Sequence, residues 1–349
     1  MGMIKIPDQV VEKFSSNISE IFSTGNLAEG KWNLKLSDFF KNYTQAKYAI
    51  PFSSNGSGLL AILLLLKRYR SYDKIFIQSN TMYGVKTIAI TSGLNFIGSV
   101  PCSLPSLMPT FSQVSYFISQ LDDPKRTVFL LSHIGGITNP DIEMIATLCK
   151  NAGVALVEDC AHSLGATLNN QHTGLFGVAG VYSLYATKAI AAGEGGIAIT
   201  NHDDIGDQLS RFNIYDRFDQ QQDVGVNFRI SEIQALFSLC MSELSEEIIL
   251  NKSLIADKYI LACKKSNILY VDPYQNGQRG NHYKFTLIAN TNAEIEFAGI
   301  KNKTSPVYSY ALGIDPMSIT MRHLCLPIWY ALESEVVDQT IEQLISISN

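Results

Sequence analysis

Residues 127–166 read TVFLLSHIGGITNPDIEMIATLCKNAGVALVEDCAHSLGA. The β-branched apolar run Thr127–Leu131 predicts a buried strand. The helical pattern Asp141–Ala152 follows, and Val154–Glu158 predicts a second strand. The same alternation extends outward in both directions. Ile75–Ile77, Phe96–Val100, Gly180–Leu184 and Ile197–Thr200 read as further strands, and an extended segment ends at Phe52. Ser57–Arg70, Gly84–Ser92 and Asp204–Phe212 read as helices. Buried strands alternating with helices give an α/β domain with a mainly parallel mixed sheet flanked by helices. In such sheets ligands bind beyond the strand ends, where loops enter helices.

The composition shifts after about residue 235. Ser242–Lys264 forms a long amphipathic helical pattern, followed by short strands at Tyr283–Ile288 and around Ser305–Tyr308 and a last helix at Glu333–Ile347. The expectation is a large domain over residues 1–238 and a small α+β domain over residues 239–349. A chain of 349 residues is long enough to split in this way.

Composition excludes several classes. With 46% hydrophobic residues the chain is not disordered. The net charge of −5, without a basic block, argues against nucleic acid as partner. The apolar run Leu59–Leu66 is too short to span a membrane, and the N-terminus MGMIKIPDQVVEKF lacks an apolar signal core. Six cysteines without a C-x-x-C spacing read as reduced thiols of a cytoplasmic protein, and the scattered histidines suggest no metal site.

Four segments could carry chemistry. In Pro51–Ile62, PFSSNGSGLLAI, small residues lead straight into an apolar helix. The N–H groups around Gly56 and Ser57 can face an anion, although an ordinary capped turn reads the same way. In Val154–Ala166 a strand ends at Glu158-Asp159, where a carboxylate can pair with a cationic ligand atom or simply cap the loop. His162 follows, and can stack on a planar ligand or serve the core. In Gly180–Thr200, GVYSLYATKAIAAGEGGIAIT, Ser183 ends a strand and Lys188 lies in the connection to the next. Burial there would free its amine as a nucleophile, whereas a surface position would make it ordinary. In Val224–Leu239, Asn227 and Arg229 precede a helix that Ser231 can cap, and either could donate to a phosphate. Together, an anion-binding helix start, a strand-end carboxylate and a lysine between strands match the phosphate, pyridine nitrogen and aldehyde of pyridoxal 5'-phosphate.

At these residues the chain resembles the DegT/DnrJ/EryC1/StrS sugar aminotransferases, pyridoxal-phosphate enzymes of fold type I. VEDCAHSLGA is similar to that family's E-D-x-A-[QH]-[AS]-x-G-A motif. YSLYATKAIAAGEGGIAIT is similar to its S-F-x-x-T-K-x-[IL]-x-x-G-E-G-G segment, and VGVNFRISEIQA to its G-x-N-x-R-[ML]-[ST]-E-[IL]-Q-A stretch. The resemblance implies that Lys188 holds the cofactor aldehyde and Asp159 pairs with the pyridinium nitrogen. It implies that His162 lies at the ring and that Gly56, Ser57 and Ser183 hold the phosphate. Asn227 would reach the cofactor of a neighbouring subunit, making a homodimer the functional unit, and Arg229 would face substrate. The family places an aromatic residue after the threonine at Thr81; here Met82 and then Tyr83 follow, so either is the ring neighbour.

The implied reaction moves the amino group of L-glutamate onto a nucleotide-linked 4-keto-6-deoxyhexose in amino-sugar biosynthesis. The alternatives are a 3-keto sugar as acceptor, or a non-catalytic pyridoxal-phosphate-binding protein. The family's dehydratase branch has His at the lysine position, and Lys188 argues against it.

Overall fold

The computed structural model describes residues 5–215 and 223–347. Seven strands form the main sheet: β1 (Tyr48–Phe52), β2 (Lys74–Gln78), β3 (Asn95–Val100), β4 (Thr127–Ser132), β5 (Ala155–Cys160), β8 (Ala179–Ser183) and β9 (Gly196–Thr200). Between β5 and β8 lie the two-residue strands β6 (Thr167–Leu168) and β7 (Gln171–His172). The order across the main sheet is β1-β9-β8-β5-β4-β2-β3. Neighbours from β8 to β3 run parallel, and β9 alone opposes both β8 and β1.

Alternation of side chains explains why these strands are apolar throughout. Ile75 and Ile77 of β2 point to one face with Val128, Leu130, Ala155, Val157 and Val181. Phe76, Phe129, Leu131 and Leu156 point to the other. The first face is covered by helices Asn55–Arg70, Tyr83–Thr91 and Asp203–Phe212. The second is covered by Phe111–Ser119 and Ile142–Ala152, and towards β1 by Lys31–Thr44 and Glu232–Ser242. A strand buried on both faces has no polar positions to spare. Phe76 and Phe129 stack across this second layer with centroids 4.4 Å apart.

A second sheet, β10 (Leu269–Tyr270), β12 (Phe285–Ile288) and β13 (His323–Leu326), is antiparallel throughout. It packs on helices Ser245–Lys265 and Ser334–Ser346 through Tyr259, Cys263, Leu287, Leu326 and Leu344. Between β10 and β12 the short β11 (Gln278–Arg279) pairs with β6. The segment after β11 is tied to the main sheet's loops: Asn281 N donates to Gly136 O, and Lys284 N to Gly135 O.

The expected strands and helices of the main sheet are present, with ends moved by at most two residues. Two expectations fail. The stretch Ser305–Tyr308 is not a strand. Thr304 makes an isolated bridge to Cys325, and Pro306 brings no N–H to a ladder, so β13 takes the place beside β12. The long helix starts at Ser245 rather than Ser242, after a break at Leu244. All six cysteines are buried free thiols. No helix among the described residues is long and apolar enough to cross a membrane.

Candidate active site

The parallel strands deliver their C-terminal ends to one edge. In register there, Ser132 pairs with Asp159, Asp159 with Val181, and Ser183 with Gly196. Because β9 runs backwards, it is the start of this strand that reaches the same edge, beside Phe52 at the end of β1. The contact is close: a Cβ on Gly196 would lie 2.3 Å from the Ser54 carbonyl oxygen. Glycine at 196 therefore lets the lysine-bearing connection lie against the turn that opens helix Asn55–Arg70.

That turn is a capping box. Ser54 Oγ accepts from Ser57 N (3.0 Å), and Ser57 Oγ accepts from Ser54 N (3.0 Å). The box fixes Gly56 and Ser57 at the positive end of the helix dipole. Ser183, buried at the end of β8, accepts from Tyr185 N (3.2 Å).

Asp159 is buried at the end of β5 and is surrounded by donors. Ser132 Oγ donates to Oδ2 (2.9 Å); Asn55 Nδ2 and Ala161 N each donate to Oδ1 at 3.1 Å. Thr81 Oγ1 lies 2.7 Å from Ser132 Oγ, extending the chain inward. Its neighbour Glu158 does different work. Its oxygens accept from Gly174 N (2.7 Å), Phe176 N (2.8 Å) and Gly177 N (2.6 Å) and meet His133 Nε2 at 2.9 Å, which pins the loop before β8. Cys160 Sγ lies within 4.8 Å of the ligand atoms of His133 and Glu158, while the Glu158 carboxylate already accepts from three backbone N–H groups.

His162 is buried, with its ring 4.4 Å from that of Tyr283 and 5.8 Å from that of Tyr308. Its Nε2 lies 3.4 Å from Tyr308 Oη, while Nδ1 is a buried nitrogen with no hydrogen-bond partner. Burial, with Lys188 and Lys284 nearby, pushes the imidazole pKa well below its ordinary value, so the ring is neutral. Lys188 is half-buried, with Nζ 5.3 Å from the centre of the Tyr283 ring. Burial pulls its pKa down to about 8 against the opposing charge of Asp159, and Lys284 pushes it further down.

Asp159, His162 and Lys188 are thus brought together, with Ser183, Gly56 and Ser57 on the same sheet edge. The other two candidates are not. Asn227 is exposed, and its Oδ1 accepts from Arg229 N at 3.3 Å. Arg229 turns to the Asn213 carbonyl and, at 3.5 Å, to Glu29, so its guanidinium is committed locally. Met82 and Tyr83 are both exposed at the start of helix Tyr83–Thr91, where Tyr83 N donates to Tyr310 Oη at 2.8 Å. Sequence reasoning missed Asn55 as a partner of Asp159, and Tyr283 and Tyr308 as partners of His162. None lies in a motif that signals such a contact.

The arrangement fits pyridoxal 5'-phosphate. A buried carboxylate, an amine of lowered pKa, a neutral imidazole with an unsatisfied nitrogen and a capped helix start converge on one edge.

The model of the DegT/DnrJ/EryC1/StrS aminotransferase family matches residues 8–306. The chain is 27% identical over 242 residues to a GDP-perosamine synthase of Escherichia coli O157:H7, covering 68% of this chain and 64% of that protein. It is 26% identical over 235 residues to a UDP-4-amino-4,6-dideoxy-N-acetyl-beta-L-altrosamine transaminase of Helicobacter pylori, covering 64% and 59%. The matched stretches therefore span less than two thirds of these relatives. A DegT DnrJ EryC1 StrS aminotransferase from Brucella abortus superposes with a TM-score of 0.88 at 19% identity, each chain covered to 100%, which shows the shared fold.

Proposed function

Because this chain belongs to the DegT/DnrJ/EryC1/StrS aminotransferase family, whose members depend on pyridoxal phosphate, we propose that it is a pyridoxal-phosphate-dependent transaminase. The amino group of L-glutamate is moved onto a nucleotide-linked 4-keto-6-deoxyhexose. The observation that carries this reading is a half-buried Lys188 amine near the buried Asp159, with its pKa drawn down to about 8 by burial.

When bound, the cofactor supplies an electron sink for the bond broken at the substrate carbon. Lys188 would hold its aldehyde, and Gly56, Ser57 and Ser183 its phosphate. Asp159 would hold a proton at the ring nitrogen; Ser132, Asn55 and Ala161 N donate to its carboxylate and fix its orientation. His162, neutral and backed by Tyr283, would lie at the ring. Lys188 would take the Cα proton of glutamate; a pKa of about 8 leaves part of its amine unprotonated near neutral pH. With the keto-sugar as second substrate, Lys188 would return a proton to the sugar carbon that receives the amino group.

The exposure of Asn227 suits a contact with a second copy, which supports a homodimeric unit. The separate core of residues around Tyr259 and Leu326 supports reading residues 239–349 as a small domain. Buried free thiols suit a cytoplasmic setting.

The test is Lys188→Ala. Wild type supplied with pyridoxal phosphate should show a visible absorbance band and transfer nitrogen from glutamate to one of a panel of nucleotide keto-sugars. The product's amino position, fixed by NMR, separates C4 from C3. The variant should lose both band and turnover; full activity in it sinks the reading.

A further inference from the structure

Lys252 lies midway along helix Ser245–Lys265 and is only 3% exposed. Among the described residues its ammonium has no ion-pair partner, and the charge that acts on it belongs to another cation, Lys284. An isolated buried ammonium costs several kcal/mol, which a counter-anion normally offsets. Burial and Lys284 together push its pKa down to about 7.

The surroundings indicate where that anion would come from. Lys252 lines a cavity of about 1010 Å³ that also meets Lys188, Lys284 and Trp329. The lining includes no Asp or Glu. Its remaining lysines are engaged: Lys5 and Lys303 pair with Glu333 and Glu294, and Lys301 donates to the Ala298 carbonyl. Lys284 donates to the Ser305 carbonyl at 2.9 Å, and its charge depresses both Lys252 and Lys188. One cavity therefore joins the reactive amine to a buried cation without a partner, and its volume is at the upper end of ordinary ligand sites.

We propose that Lys252, with Lys284 beside it, binds an oxyanion of the substrate in the cavity that opens at Lys188. The inference rests on the transaminase reading. Under that reading two groups bring this chemistry, the diphosphate of the nucleotide sugar and a carboxylate of the amino donor. No bond is made or broken at Lys252, which acts by charge alone.

The experiment is calorimetric titration of the full-length protein, supplied with pyridoxal phosphate, with inorganic pyrophosphate and separately with L-glutamate. Wild type should bind at least one of them. Lys252→Met should weaken that binding tenfold or more, and Lys252→Arg should hold it within about threefold. The anion affected identifies the source. The visible band should be unchanged in both variants. Equal binding of both anions by wild type and Lys252→Met, or binding of neither by wild type, overturns the proposal. Lys284→Met provides the same comparison should Lys252→Met fail to fold, and unchanged binding in that variant likewise counts against it. Absence of the visible band in wild type would instead sink the transaminase reading, and the anion titrations remain readable because they need no turnover.

Discussion

The carboxamide of Asn55 spans from the first turn of its helix to the end of β5: Nδ2 lies 3.1 Å from Asp159 Oδ1 and 2.7 Å from the Val181 carbonyl. One side chain thus joins the capped turn to the carboxylate. Asn55→Ala should leave the protein folded, since Ala161 N and Ser132 still serve Asp159. Loss of a hydrogen bond to a charged group is worth about 1.5 kcal/mol, or roughly tenfold in rate. Steady-state kcat should fall by about that factor, with the thermal midpoint little changed. An unaltered kcat would show that Asn55 does not orient Asp159.

Glu158 should be a stability residue with little direct part in turnover. Glu158→Gln keeps the volume but turns one acceptor into a donor facing the N–H groups of Gly174, Phe176 or Gly177. The expected loss is about 2–4 kcal/mol, read from chemical denaturation.

Gly196→Ala should be worse than its size suggests. The new methyl would meet backbone, the Ser54 carbonyl at 2.3 Å, which has no rotamer to yield. Either β9 or the capped turn must move. A lowered thermal midpoint together with weakened cofactor retention is expected, and wild-type values for both would contradict the close approach.

Lys252 makes a pH-dependent prediction. Its folded pKa of about 7 lies below the ordinary lysine value, so between the two the unfolded chain binds the extra proton. Its cost to stability is therefore greatest at and below pH 7 and fades as pH rises towards 10.5. In buffers free of polyvalent anions, Lys252→Met should be more stable than wild type by on the order of a few kcal/mol at pH 7, with the gap closing at alkaline pH. A gap that is constant with pH would mean that the amine is not buried as a cation.

The main sheet was legible because burial on both faces leaves strands such as β2, β4 and β5 with uninterrupted apolar runs. Asp159, Lys188 and His162 were legible because each sits in a motif next to such a strand. Contacts made across the fold were not. Asn55 reads as a turn residue until β5 and β8 are placed beside it. Tyr283 and Tyr308 meet His162 from more than a hundred residues further along the chain, a contact that no local pattern marks. Lys252 did leave a signal: Ile248, Ile249, Lys252, Ile255, Ala256 and Tyr259 share one buried helical stripe, so a lysine interrupts a core face. Helices Asp8–Thr24, Lys31–Thr44 and Phe111–Ser119 were not anticipated.

The reversed direction of β9 has a bearing on how the protein matures. Tyr48 pairs with Thr200 and Phe52 with Gly196, so the chain from β2 to β8 lies between the two strands and must be drawn in before this seam can close. Contacts so remote along the chain close late and slowly. Vitamin B6 capture should accordingly report the end of refolding, and a newly made chain has nowhere to seat the coenzyme until its central layer is complete.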